Sequence, residues 1–265
     1  MKKIYLFGLL ALGMLAFSSC NDGNDELTDS RLTYYADLHL QGDEFMIVPI
    51  GTSFVDPGCT GTLYDKASGD IKDISSQIVV GGDEVDPNTM GFYYVTYSAA
   101  GSDGYMSSVT RTVCVCDPTV TLDISGSYDT DMTESTYYGK VNGVLDWYPF
   151  AVFAAGNGYT TQCTGITFTQ LAPGFFAASD LLGGWYDQVR GFGVQYGGNI
   201  GCMTGYVSVD NDGNIELISS VIGAWGDSLD YIEDAKFDPE AGTMSYFASY
   251  AEGAVVMNLL LHKVQ

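Results

Sequence analysis

Apolar and polar residues alternate in short runs along most of the chain, and no stretch keeps a helical period long enough for a substantial helix. Between about residues 32 and 118, Leu38 and Leu40, then Phe45 and Ile47, alternate with polar neighbours. Residues 77–80 and 91–99 are rich in β-branched and aromatic side chains, and 109–116 alternates throughout. A period of two places one face of a strand in a core and the other in solvent. About seven such strands in under a hundred residues suit an immunoglobulin-like sandwich. After Asp117-Pro118 the alternation resumes in runs at 122–128, 148–155, 159–169, 174–179, 203–209, 215–219, 243–250 and 255–262. Short Gly, Asn and Asp turns join them, most clearly Asp210-Asn211-Asp212-Gly213-Asn214. That spacing predicts an antiparallel meander of about eight to ten strands, barrel-like or a sandwich, closed or nearly so. Residues 227–234 are expected to form at most one short helical turn. The expected fold class is therefore all-β: an Ig-like β-sandwich over 35–117 followed by an antiparallel β domain over 118–265.

The first residues follow a different pattern. Lys2 and Lys3 precede an apolar stretch from Ile4 to Phe17, and Ser18 and Ser19 stand directly before Cys20. Charged, apolar and small-residue regions in that order predict a signal peptide over 1–19. The apolar stretch is shorter than the roughly 20 residues a helix needs to cross a bilayer, and no later segment approaches that length. A cysteine in this position resembles a bacterial lipobox, with Phe17 where Leu is commoner. It implies that the Cys20 thiol is lipidated and becomes the anchor. Residues 20–34 then read as the lipidated cysteine and a flexible acidic tether, since Asn21-Asp22-Gly23-Asn24-Asp25-Glu26 has nothing to bury. The same run resembles the acidic export signal of surface lipoproteins in Bacteroidetes-type bacteria, which implies the outer membrane with the chain facing the exterior. A plain solvated spacer is the alternative.

Charge narrows the partners. The 265 residues carry 33 Asp and Glu against 10 Lys and Arg, a net charge of −23. So acidic a surface repels phosphate backbones and anionic lipid headgroups, which disfavours nucleic acid and leaves the lipid anchor as the membrane contact. Five cysteines follow Cys20: Cys59, Cys114, Cys116, Cys163 and Cys202. An odd number leaves at least one unpaired. Cys114 and Cys116 share a strand face and are poorly placed to bond to each other. Cys59 with one of them, and Cys163 with Cys202, remain open as pairs, and buried thiols are the other reading. None of the spacings matches a zinc or redox motif, so no metal and no cofactor is expected.

Two ordered sets of motifs resemble known families. Gly51-Thr52-Ser53-Phe54-Val55-Asp56-Pro57-Gly58, Gly69-Asp70-Ile71 with Ile74, Val85-Asp86, the run from Gly91 to Ala99, and Arg111-Thr112-Val113-Cys114-Val115 resemble the bacterial surface immunoglobulin-like domain. That family is related to hyalin-repeat modules and to an Ig-like module of a pesticidal crystal protein. Cys59, Gly61 and Ala100-Gly101 depart from the family pattern. The resemblance implies a spacer or adhesive platform without catalytic machinery. Ile124-Ser125-Gly126-Ser127-Tyr128, the run from Ser179 to Tyr186, and Trp225-Gly226-Asp227-Ser228 resemble the C-terminal domain that follows such a module in Bacteroides-type surface lipoproteins. No activity comes with that second resemblance.

Catalytic chemistry is poorly supplied. Gly226-Asp227-Ser228-Leu229 spells a lipase and esterase serine motif, with His262 downstream, but it sits late in a β domain and position 259 is Leu. His39 and His262 are the chain's two histidines. Asp210, Asp212, Asn214 and Glu216 could offer oxygens to calcium, although Asp, Asn and Gly also serve a hairpin turn. Asp227, Asp230, Glu233 and Asp234 have the same ambiguity. No catalytic residue is assigned. The candidate ligand-binding residues are aromatic: Trp185, Tyr186, Trp225 and Trp147, with Arg190. Aromatic faces stack on sugar rings while neighbouring polar groups bond hydroxyls, so the expected role is a non-catalytic, glycan-binding surface protein that assists polysaccharide uptake. An adhesive or structural protein that contacts another protein is the alternative, and a hydrolase the remote one.

Overall fold

The computed structural model describes residues 33–159 and 162–264, and strands dominate them. The stretch expected to be a signal peptide, Cys20 and the expected tether as far as residue 32 lie outside the described residues. The first seven strands are β1 (Asp37–Leu40), β2 (Phe45–Pro49), β3 (Cys59–Asp65), β4 (Asp70–Asp73), β5 (Val79–Gly82), β6 (Gly91–Ala100) and β7 (Met106–Cys116). They form a three-stranded sheet in the order β1-β3-β4 and a four-stranded sheet in the order β2-β7-β6-β5. Strand β2 runs parallel to β7, with Phe45 opposite Thr112 and Pro49 opposite Cys116.

By contact the chain divides into two compact units, one running to Gly42 and including Pro57–Gly81 and Thr96–Thr110, the other comprising Asp43–Asp56, Gly82–Val95 and everything from Arg111 onward. In the first, Ala36, Leu38, Ile74 and Ala99 form a small core flanked by Leu63, Ile78 and Val109. In the second, the Arg111 side chain has no solvent exposure, and its Nη1 donates to Asp56 Oδ1 at 3.1 Å. Two motifs far apart in sequence thus meet as an ion pair.

The last four residues of β7 are buried on both faces. Cys114 and Cys116, on one of them, pack with Ala172, Phe175, Phe92 and Ile218. The Phe92 ring lies 5.2 Å from Phe175 and 5.4 Å from Tyr206. Cys114 and Cys116 are thiols, and burial pushes Cys114 up to about 12. Cys163 and Cys202 are likewise unpaired: the Cys163 thiol approaches Gly184 O, while that of Cys202 donates to Asp187 Oδ2 at 3.2 Å. These four are thiols, buried at Cys114, Cys116 and Cys163 and half-buried at Cys202, and this replaces both suggested disulfides.

Ten further strands make one antiparallel sheet: β8 (Gly126–Thr130), β9 (Thr136–Val141), β10 (Val144–Pro149), β11 (Cys163–Ala172), β12 (Phe175–Ala178), β13 (Met203–Val209), β14 (Ile215–Ile222), β15 (Leu229–Asp238), β16 (Thr243–Tyr250) and β17 (Val255–Lys263). The sheet runs β14-β13-β12-β11-β8-β17-β16-β15, with β9 and then β10 continuing beside β8 along the same edge of β17. It curls until its end strands meet. Asn214 bridges to Lys236, Phe237 N donates to Gly213 O, and Leu229 N donates to Ser220 Oγ. Inward positions alternate as the period of two requires: Met203, Val207 and Val209, then Met244, Tyr246, Ala248 and Tyr250, then Met257, Leu259 and Leu261.

Three local expectations need correction. Residues 150–157 form helix α1 (Phe150–Asn157), not a strand. Pro149 ends β10, and its fixed φ and missing N–H suit a helix start, while Gly158 closes the helix in the left-handed conformation. The hairpin β9–β10, turned by Asn142-Gly143 with both residues at positive φ, adds two strands to those the alternation predicts. Residues 229–234 belong to β15 and not to a helical turn, their acids lying on its solvent side.

The Asp56–Arg111 pair gives a direct test. Neutralising the carboxylate removes the charge that faces a guanidinium with no solvent exposure, so Asp56→Asn is expected to cost about 3 kcal/mol in urea unfolding. A loss below about 0.5 kcal/mol, the level of an ordinary surface change, would rule out this structural role.

Candidate functional site

Strands β12 and β13 are neighbours in the sheet, yet residues 179–202 intervene between them. This excursion enters the interior of the curled sheet and must find partners there for its backbone polar groups. Asp180, almost wholly buried, is the partner of three. Its Oδ1 accepts from Leu182 N at 2.9 Å and from Met203 N at 3.0 Å, and its Oδ2 accepts from Gly184 N at 2.9 Å. Inward-facing hydroxyls satisfy two carbonyls, since Thr130 Oγ1 donates to Gly183 O and Tyr246 OH to Leu181 O, both at 2.9 Å. Gly183 and Gly184 adopt φ of +62° and +80°. A Cβ at Gly183 would lie 2.6 Å from Leu259 Cδ2, so neither the backbone conformation nor the space admits a side chain. Asp187 secures the far end, its two oxygens accepting from Gly201 N at 3.0 and 3.1 Å.

Between these points lie a π-helical turn (Trp185–Val189) and helix α2 (Phe192–Tyr196). Trp185 is 1% exposed. It stacks on Tyr137 at 4.3 Å and lies 4.9 Å from Phe150 and 5.2 Å from Phe153. Trp185 is therefore a core residue and cannot present a face to a ligand, contrary to the sequence expectation. Its Nε1 has no hydrogen-bond partner among the described residues.

Asp187 and Val189 stay buried, while Tyr186, Arg190 and Phe192 reach the surface. The Tyr186 ring lies 5.3 Å from both Phe192 and Trp225, and Phe192 lies 5.6 Å from Tyr196. The Arg190 guanidinium sits 5.7 Å from the Tyr186 ring centre and 5.6 Å from that of Phe192. Trp225 is 41% exposed and occupies the turn between β14 and β15, which Gly226 N closes by donating to Ile222 O. Burial pushes the Tyr186 phenol above its ordinary pKa, and Arg190 opposes that shift. Tyr250, the last residue of β16, lies 6.2 Å from Tyr186, and its buried hydroxyl lacks a hydrogen-bond partner among the described residues. Tyr186, Arg190 and Trp225 are thus brought together, joined by Phe192 and Tyr196.

Trp147 lies elsewhere. It contacts Tyr138 at 5.4 Å and Phe247 at 6.3 Å. Phe247 and Tyr250 are three positions apart on β16 and so face opposite sides of the sheet. The grouping of Trp147 with the other candidates is corrected accordingly.

The remaining chemistry resolves into structure. Asp210 accepts from Asp212 N, Asn214 N and Asn214 Nδ2, the work of a hairpin turn, and Asp230 accepts from Ser249, Glu252 and Gly253. Among the described residues no group of three His, Cys, Asp or Glu side chains could hold a metal ion. Thr243 pairs with His262 and Tyr250 with Leu229, so Ser228 and His262 sit at opposite ends of β16, more than ~20 Å apart at about 3.4 Å per residue. They cannot act on one substrate atom. His262 instead meets Asp131 at 3.2 Å.

Burial raises the Asp180 carboxyl from its ordinary 3.8 to about 6, against the three N–H groups that favour its charge. The folded state therefore binds this proton more tightly than the unfolded chain. The resulting stability is full below about pH 4 and is lost as pH rises through about 6, about 3 kcal/mol in all. In Asp180→Asn the pH slope of the unfolding free energy in this window should change by one proton, and an unchanged slope would show that another group titrates. Trp185→Ala should cost about 3–5 kcal/mol in urea unfolding, as large core truncations do, and a near-neutral result would contradict its place in the core.

Two family models match the chain: the bacterial surface protein Ig-like domain over residues 38–115 and a model described as a C-terminal domain over residues 117–263. Among solved structures, the lipoprotein BT2262 from Bacteroides thetaiotaomicron is similar at 29% identity, covering 86% of this chain and 100% of that one, with a TM-score of 0.42. A structure of CBM51-2 in complex with GlcNAc and INT domains from Clostridium perfringens ZmpB matches at 19% identity over 54% of this chain and 29% of that one, with a TM-score of 0.23. No curated protein matches. With more than half of its length under the second model, the chain belongs to that C-terminal-domain family, and it carries the domain behind a bacterial surface protein Ig-like domain.

Proposed function

We propose that this chain is a non-catalytic protein anchored through lipidated Cys20 to the outer membrane and facing the cell exterior. In this reading the Ig-like region 35–117 is a spacer, and the β domain 118–265 binds an extracellular ligand, most simply a glycan, in support of polysaccharide uptake. The observation that carries it is the half-exposed aromatic group of Tyr186, Phe192, Tyr196 and Trp225, with the Arg190 guanidinium close to two of the rings. Such faces stack on sugar rings, and a guanidinium offers five N–H donors to ring hydroxyls. The unpartnered Tyr250 hydroxyl beside Tyr186 adds a polar group in the same neighbourhood.

A second reading is contact with another protein. It is favoured by edge strand β10, where Val144, Leu145 and Trp147 are exposed beside Tyr138. Edge strands with exposed apolar side chains invite pairing with another chain.

A glycan array followed by calorimetry on the mature chain separates the two. Trp225→Ala, at an exposed turn, should retain the fold and weaken glycan binding about tenfold. Absence of glycan binding, or binding unchanged in Trp225→Ala, would shift the assignment to the protein-contact reading.

A further inference from the structure

The outer face of β11 to β14 holds an open cleft of about 570 Å³, within the ~300–1,000 Å³ of ordinary ligand sites. Strand register explains its shape. Thr169 pairs with Ala177, Ala177 with Tyr206, and Tyr206 with Ser219, so four outward side chains form one row across four strands. At ~4.8 Å between strands the row is about 14 Å long. Ala177 is the small member, and the depression lies where it stands between Thr169 and Tyr206. A second row follows beside the first: Thr167 N donates to Ser179 Oγ at 2.8 Å, and Thr204 pairs with Val221.

The lining chemistry is selective. Thr167, Thr169, Ser179, Thr204, Tyr206 and Ser219 contribute hydroxyls, and no lining residue is charged. That is unusual in a chain with 33 acids, and it contrasts with nearby β15, where Asp230, Glu233 and Asp234 are exposed. Thr167, Thr169, Tyr206 and Ser219 have no hydrogen-bond partner for their hydroxyls among the described residues, so both donors and acceptors remain available there. The Tyr206 ring is steadied by Phe92 at 5.4 Å, which fixes one aromatic edge at the cleft. An anionic ligand would find no cation in this cleft and a strongly acidic protein around it. An apolar ligand would strip water from hydroxyls without replacing their hydrogen bonds, at a cost of about 1–3 kcal/mol for each group left unpaired. What fits is a neutral, hydroxyl-rich chain that repeats its polar groups along its length.

We infer that this cleft is a binding site for an uncharged oligosaccharide lying across β11–β14, separate from the aromatic group that contains Trp225. The site therefore stands or falls independently of the assignment made for that group.

The test titrates the mature chain with cellohexaose, maltohexaose, mannohexaose and xylohexaose, and with hexagalacturonate as the anionic counterpart. Three variants accompany the wild type. Thr169→Val with Ser219→Val removes two hydroxyls from exposed positions and keeps β-favouring shapes, Ala177→Phe fills the depression, and Trp225→Ala alters the other site. Urea midpoints establish that each is folded. The expected result is saturable binding of at least one neutral probe and none of hexagalacturonate. That binding should weaken about tenfold in the hydroxyl variant, disappear in Ala177→Phe and persist in Trp225→Ala. Neutral binding that ignores both cleft variants but fails in Trp225→Ala would overturn the inference and leave the aromatic reading intact. Absence of binding by every neutral probe, or a preference for hexagalacturonate, would also overturn it.

Discussion

One carboxylate inside the β domain fixes the path of residues 179–202. Asp180 gathers the N–H groups of Leu182, Gly184 and Met203, so the chain can leave β12, cross apolar space and rejoin β13 with those donors satisfied. The residue type follows from the need. Both oxygens must accept, and an ionised Asp is acceptor-only at both, whereas an Asn would turn an N–H₂ toward one of the donors. Once the path is fixed, Trp185 falls against Tyr137 and Phe150, and Tyr186, still packed against the core, is partly exposed. The core accepts one unpartnered indole N–H as part of this arrangement.

The Asp56–Arg111 pair solves a similar problem by charge. Arg111 lies two residues before the stretch of β7 that is covered on both faces, and a guanidinium with no solvent exposure needs an anion close at hand. Beyond it the strand needs side chains small and apolar enough for two packed faces, which Val113, Cys114, Val115 and Cys116 provide. The cysteines behave there as compact hydrophobes. With burial raising Cys114 to about 12 there is little thiolate for oxidation or metal binding.

Much of the architecture was legible because strand period and turn chemistry are local properties. The runs at 203–209 and 243–250 coincide with β13 and β16, and Asp210 to Asn214 forms the turn its residues suggest. Misreadings occurred where one local signal serves two structures. The aromatic, apolar run after Trp147 reads equally as strand or helix, and Pro149 decides for the helix. Asn142-Gly143 is a hairpin signal, but the sequence around it between Lys140 and Trp147 lacks a clean alternation to mark the strands on either side. In the candidate site, proximity to Gly-rich turns could not tell Trp185 from Tyr186, adjacent residues that end up inside and outside the core. Asp180 lies within the run from Ser179 to Tyr186 that carries the second resemblance, but a lone acid before Leu181-Leu182 shows its role only when Met203 is brought to it. The row from Thr169 to Ser219 is invisible without register, since it takes one residue from each of four strands.

The hydrogen bonds that hold the 179–202 excursion are concentrated at its base, between Asp180, Asp187, Gly201 and Met203, while Val194, Gln195, Tyr196 and Gly197 are exposed at its tip. Structural demand and surface display therefore fall on different residues of one short segment. Substitutions can accumulate at the tip at little energetic expense to the sheet, so descendants of this sequence are free to change what they recognise while inheriting the same frame.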